Sequence, residues 1–394
     1  MAKNTHLEHL EDDIFNNGYP GAQNAIGFLE SLRDMLTTGH GGSDVKVTTK
    51  WDGAPAIVCG TDPETGQFFV GTKSVFNKKD PKICYNEDFI DFHYEGALNS
   101  ILKDCLNKLS KLNITGIVQG DLLYLKTPKT HMMCGVKCYK FKPNTITYCI
   151  EAHTDLGKTI GASTMGIVFH TRYAGGSISD STAVFGSPNV EGNGEVAVLS
   201  AEFTNVSGKA NLSATEKSKF NITLNKAKRE LGVGKHFLNQ IGGGTKPMEY
   251  SAVFKTYFNT LVKKGSIPTN SQTMTAGYIK FLSDRYDKEI DKKKTEKSRK
   301  DWEKKKDDAI KYLNINKNVI YSALSGYKSL MTAKEQIIKR LNKIEGVGTF
   351  IEDETGYRVT APEGFVAIKD GTALKLVDRL EFSRANFTVA KDWN

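Results

Sequence analysis

A lysine at the end of a strand, followed closely by an aspartate and a glycine, is an arrangement that can form a covalent bond and hold the product. Thr48-Thr49-Lys50-Trp51-Asp52-Gly53-Ala54-Pro55 has that form. Val45-Lys46-Val47 alternates like a strand upstream, and Ala56-Ile57-Val58-Cys59 reads as a second strand downstream, so Lys50 faces a turn. A lysine partly desolvated beside other cations loses proton affinity, and its amine can act as a nucleophile. Asp52 supplies a carboxylate and Gly53 permits close backbone approach. Taken alone, the same residues also read as a simple Asp-Gly turn.

Other short stretches follow in order. They are Phe69-Val70-Gly71-Thr72-Lys73-Ser74, Ile117-Val118-Gln119-Gly120-Asp121-Leu122-Leu123-Tyr124, Gly166-Ile167-Val168-Phe169-His170-Thr171, Glu363-Gly364-Phe365-Val366 and Ala373-Leu374-Lys375-Leu376-Val377. In type and order the set resembles the collinear motifs of the covalent nucleotidyltransferase superfamily, which comprises ATP-dependent DNA ligases, RNA ligases and mRNA capping enzymes. The resemblance runs from about residue 45 to 380 with one large interruption.

The resemblance implies an α+β nucleotidyltransferase fold of antiparallel sheets flanked by helices, with a large helical insertion. Lys50 would attack the α-phosphorus of ATP and carry lysyl-AMP, with Mg²⁺ or Mn²⁺ offsetting phosphate charge. Thr49, Asp52, Gly53 and Lys73 would help hold the nucleotide. Asp121 would bind the ribose or the metal, and Glu363 the metal. An aromatic residue of Gly166-Ile167-Val168-Phe169-His170-Thr171 would stack on the base. Phe169 and His170 both qualify, but alternation puts them on opposite faces; Phe169 is the expected one. Lys369 and Lys375 would face the phosphates as point charges.

Three departures narrow the resemblance. Thr48 and Thr49 precede the lysine where many members carry glutamate, Ala54-Pro55 stands where DNA ligases carry arginine, and Val377 replaces a frequent second lysine. The chain ends soon after its last motif, leaving no room for an appended OB domain, so the expected relative is a minimal or RNA-ligase-like member. A polynucleotide ligase acting on RNA or DNA ends is therefore the leading expectation. The alternatives are transfer to another acceptor, whether an RNA end, a protein or a small molecule, and a non-catalytic nucleic-acid-binding protein of the same fold.

The surrounding elements must position these residues. Leu7, Leu10 and Ile14, then Ala25, Phe28, Leu29, Leu32 and Leu36, mark two apolar helical stripes broken at Gly18-Tyr19-Pro20-Gly21. This predicts an N-terminal helical segment over 1–44, packed on the core. A core over 45–200 and 346–394 follows, interrupted by a basic helical insertion over 201–345. Within that insertion, 287–306 carries Lys292-Lys293-Lys294, Arg299-Lys300 and Lys304-Lys305-Lys306 around Trp302, and reads as one exposed helix.

The 394 residues carry a formal charge of +9 with 39% hydrophobic and 10% aromatic content, describing a folded chain whose charge suits a polyanion such as nucleic acid. No apolar run has membrane-span length, and the first residues lack a signal-peptide core, so a cytoplasmic protein without a membrane partner is expected. The six cysteines are scattered, and Cys134 and Cys138 lack the second pair that a zinc site requires. No Walker A pattern occurs.

Overall fold

The computed structural model describes residues 7–38, 45–133, 135–186, 188–200, 211–342, 348–353, 356–359, 364–370 and 372–380. The chain opens with β1 (Glu8–His9) and α1 (Asp13–Thr38), the latter kinked where Gly18 takes φ 63°. Next come β2 (Val45–Lys50), β3 (Ala56–Thr61), β4 (Phe68–Gly71), α2 (Glu87–His93), α3 (Gly96–Leu109) and β5 (Ile117–Tyr124). A basic hairpin follows, β6 (Lys129–Met133) and β7 (Val136–Phe141), then β8 (Ile146–Glu151), α4 (Asp155–Ala162), β9 (Met165–Ala174), β10 (Thr182–Phe185) and β11 (Val196–Val198). The helical body consists of α5 (Ala214–Val233), α6 (Lys235–Asn239), the small hairpin β12 (Gly244–Thr245) and β13 (Met248–Glu249), α7 (Tyr250–Lys264), α8 (Ser271–Asp291), α9 (Glu296–Ile315) and α10 (Lys317–Leu341). The described chain closes with β14 (Gly348–Asp353), β15 (Gly356–Val359), β16 (Gly364–Lys369) and β17 (Thr372–Leu376).

Three larger sheets result. The first runs β1-β17-β16-β2, the second β10-β9-β5-β3-β4 with β11 on β9, and the third β15-β14-β8-β7-β6. Pairing is antiparallel except for β1 with β17 and β11 with β9. Period-two alternation assigns the faces. Val45 and Val47 of β2, Phe365 and Ala367 of β16, and Leu374 and Leu376 of β17 share one core with the helices. Thr48, Val366, Ile368 and Lys375, at the intervening positions, turn to the opposite side. The second sheet sends Ile57, Cys59, Val118, Leu122, Ile167 and Phe169 against Leu102, Cys105 and Leu109 of α3.

The α+β architecture and the kink at Gly18 agree with the sequence. Several elements differ. Glu8–His9, expected within a helix, is extended because its backbone pairs with Leu374 and Lys375. The lysine-rich run over 287–306 is two helices, not one: α8 ends at Asp291, and Thr295 caps α9 through Ser298 N–H. α1 and α5 to α10 bury their apolar stripes with the first sheet in a continuous core. No helix among the described residues is long and apolar enough to cross a membrane.

Candidate active site

Lys50 ends β2, and its position opposite Gly364 of β16 brings it to the mouth of a space between the first and second sheets. The cavity there measures about 180 Å³. Lys50, Lys73 and Lys375 bring three cations to it from three places in the chain, and Asp121 brings a carboxylate from β5. Thr49 lies on the same wall, and Tyr173 and Phe185 add aromatic surface.

Asp121 is held by charge. Burial works to raise its carboxyl, but His170, Lys50 and Lys73 together draw it below its ordinary value. His170 Nε2 lies 3.5 Å from Asp121 Oδ1, and its Nδ1 is 2.8 Å from Thr171 Oγ1. Burial lowers the Lys73 ammonium, partly offset by Asp121. Lys73 opens a 3-10 turn whose preceding Thr72 accepts a hydrogen bond from Ser74 N–H, and Tyr94 OH bonds Ser74 Oγ at 2.7 Å. The turn is thereby fixed where the lysine enters the cavity.

The loop after Lys50 is fixed from the other side. Asp52 is buried, and its carboxylate accepts from Asn144 Nδ2 at 2.8 Å, Thr145 N–H at 2.6 Å and Ile146 N–H at 2.8 Å. Its own N–H donates to Tyr148 OH at 2.7 Å, and the Trp51 ring packs 4.9 Å from that tyrosine. Gly53 lies flat on β5: a Cβ there would come within 2.6 Å of Asp121 Cβ and 2.8 Å of Leu122 O. Ala54 N–H then bonds Leu122 O at 2.8 Å. Glycine is required by contact, and the contact is with the carboxylate residue itself.

Of the expected site residues, Lys50, Thr49, Lys73, Asp121 and Lys375 come together around the cavity. Four others do not line it. Phe169 is only 2% exposed and packs in the core behind the second sheet; its neighbours Val168 and His170 take the cavity face. Asp52 serves as a clamp to the third sheet, not as a ligand to anything in the cavity. Gly53 supports the loop from beneath. Lys369 projects to the helical side, donating to Ser31 Oγ of α1 at 2.8 Å, because it has the parity of Phe365 and Ala367. Glu363 lies outside the described residues.

Gln119, Tyr173 and Phe185 are cavity residues that motif reasoning passed over. Gln119 was accessible to it, since a strand that turns Asp121 to the cavity turns residue 119 the same way. Tyr173 OH donates to Gln119 Oε1 at 2.7 Å, fixing that amide in place. No group of three or more histidine, cysteine or acidic side chains suited to a metal ion occurs among the described residues. Asp121 alone fits the Mg²⁺ habit of taking one or two carboxylates together with substrate phosphates.

The fold and cavity define an α+β protein with a strand-end lysine enclosed between two predominantly antiparallel sheets, among further cations and one carboxylate. The chain belongs to DUF6267, a family of unknown function, matched over residues 4–391. No curated protein and no solved structure matches it.

Proposed function

We propose that this protein is an ATP-dependent nucleotidyltransferase that forms a covalent lysyl-AMP at Lys50 and passes the AMP to a polynucleotide end. The observation that carries the reading is the convergence of Lys50, Lys73, Lys375 and Asp121 on one cavity from four segments. The motif order alone did not require those segments to meet.

In the proposed first step the Lys50 Nζ lone pair attacks the α-phosphorus. A P–N bond forms, the α–β bridging P–O bond breaks, and pyrophosphate leaves with that electron pair; the amine proton passes to solvent. Lys73 and Lys375 are the cations that would stabilise charge developing on the phosphate oxygens, the dominant requirement in phosphoryl transfer. Asp121 is the residue that would hold Mg²⁺, which when bound offsets phosphate charge. Tyr173 and Phe185 offer apolar ring surface to the base.

The test is incubation with α-labelled ATP or GTP and Mg²⁺, followed by denaturing electrophoresis. Wild-type protein is expected to retain label through denaturation, and Lys50→Ala to retain none. Lys375→Ala, which keeps the nucleophile, is expected to slow labelling by about 10²-fold. Absence of label from folded wild-type protein stripped of bound AMP would overturn the proposal.

A further inference from the structure

The lysines of this chain differ in how they are neutralised. In the helical body, Lys292 pairs with Glu289 at 2.6 Å, Lys300 with Glu296 at 2.8 Å and Lys306 with Asp287 at 2.6 Å. Even Trp302, the aromatic residue of that run, is engaged by Lys293 at 4.4 Å and Lys305 at 5.1 Å from its ring centre. Lys294, Lys297 and Lys304 of the same run are exposed and make no ion pair among the described residues, but acidic residues intersperse that run, and none does so in the β6–β7 hairpin. Five lysines (Lys126, Lys129, Lys137, Lys140 and Lys142) and no aspartate or glutamate lie between Asp121 and Glu151. Lys126, Lys129 and Lys137 are exposed and make no ion pair among the described residues. Lys129 stands directly across the ladder from Lys140.

The hairpin is also placed by the site. β5, which carries Asp121, ends at Tyr124, and a bend at Leu125 and Lys126 leads from it to β6. At the far end of β7, the turn at Asn144–Ile146 is the segment bound by the Asp52 carboxylate. The loop bearing Lys50 is thus linked to the third sheet at the turn that follows the hairpin's second strand. By alternation Lys129 and Lys140 share one face of the hairpin, and Lys137 shares the other with Tyr139, on which Gly161 of α4 closes.

We infer that the β6–β7 hairpin binds the phosphodiester backbone of a nucleic-acid strand and leads its end toward the cavity. The binding surface stands on the unneutralised lysines; the delivery of an end rests on the lysyl-AMP reading. Contacts of this kind are made to phosphates and are indifferent to sequence.

The experiment is fluorescence anisotropy with a short labelled single-stranded RNA carrying a 5′-phosphate, over a range of salt, on the full chain. The triple variant K126Q/K129Q/K137Q is expected to bind at least about tenfold more weakly, with a log K against log salt slope shallower by about two. The matched variant K292Q/K300Q/K306Q, which removes equal charge from paired lysines, is expected to stay within about twofold of wild type. Arginine at the three hairpin positions restores binding if the glutamine variant is correctly folded. Unchanged binding by the hairpin variant, or equal weakening by both triple variants, would overturn the inference. Lys50 labelling is read in parallel. Hairpin-dependent binding without any covalent label would sustain the surface while overturning the catalytic reading, and label without hairpin dependence would do the reverse.

Discussion

At the scale of single residues, the tetrapeptide Lys50 to Gly53 divides its labour in a way its order does not reveal. Lys50 faces the cavity; Asp52, two positions on, faces the other way and satisfies two backbone N–H groups and one amide. Asp52→Ala is expected to cost about 3 kcal/mol, because Thr145 and Ile146 N–H lose a charged acceptor in a buried setting. It should also slow Lys50 labelling although the carboxylate never lines the cavity. Urea unfolding beside single-turnover labelling checks both, and a variant as stable as wild type would remove the clamp. Gly53→Ala forces a Cβ onto Asp121 and Leu122 and is expected to cost about 1–3 kcal/mol through overpacking. Labelling should fall more than stability does, since the displaced neighbour is the cavity carboxylate. Motif position marked these residues; only the register of β5 against β3, Ala56 opposite Asp121, says which way each points.

At the scale of elements, the 3-10 turn at Leu10–Asp12, α10 and the segment after β17 are joined by a buried charge cluster. Lys334 Nζ lies 2.8 Å from both Glu11 oxygens, and Arg379 Nη1 is 2.7 Å from Asp12 Oδ1 and 2.9 Å from Tyr327 OH. Two acids face two bases, so the cluster is neutral as a whole and intolerant of losing one member. Lys334→Met is expected to destabilise by about 3–5 kcal/mol, whereas Glu11→Leu with Lys334→Met together should recover most of that loss. A double-mutant cycle by chemical denaturation measures it; additive losses would mean the pair is not coupled. The cluster was not legible in the sequence, because its members lie over three hundred positions apart and Glu11 and Asp12 look like ordinary first-turn acids. The break between α8 and α9 was hidden for another reason. Lysine and glutamate favour helix throughout Asp287 to Lys306, and the turn is imposed by packing of Tyr286 against Trp302 and Lys306 against Asp287 across the two helices. By contrast, the sheet strands of the site were legible because apolar alternation and turn residues coincide there.

At the scale of the whole molecule, the helical body and the cavity share the first sheet, so a perturbation of one is felt by the other. His9 sits at that junction, in β1 opposite Lys375, with Nδ1 sealed from solvent and without a partner among the described residues. Burial first, then Arg379, Lys334, Lys375 and Lys50, hold its imidazolium form well below the ordinary histidine range. The sign follows from linkage. Below about pH 6.5 the unfolded chain protonates this histidine and the folded chain does not, so unfolding takes up a proton and stability falls as pH falls, by about 1.4 kcal/mol per pH unit. Asp121 and Asp62, whose carboxyls are held below their ordinary values, lose their contribution only in a more acidic window, as pH falls through the carboxylate range. Glu335, whose carboxyl is raised above its ordinary value by burial and then by Asp378, works in the opposite direction as pH falls, so the histidine is read from the difference between wild type and a His9 variant from pH 6.5 to 5. His9→Gln is expected to flatten the unfolding free energy across that interval while leaving the steeper loss below pH 4. An unchanged slope between pH 6.5 and 5 in the variant would mean that His9 takes its proton in the folded state. The four cations around it, two of them on the cavity wall, would then not be packed as closely as the sheet register requires.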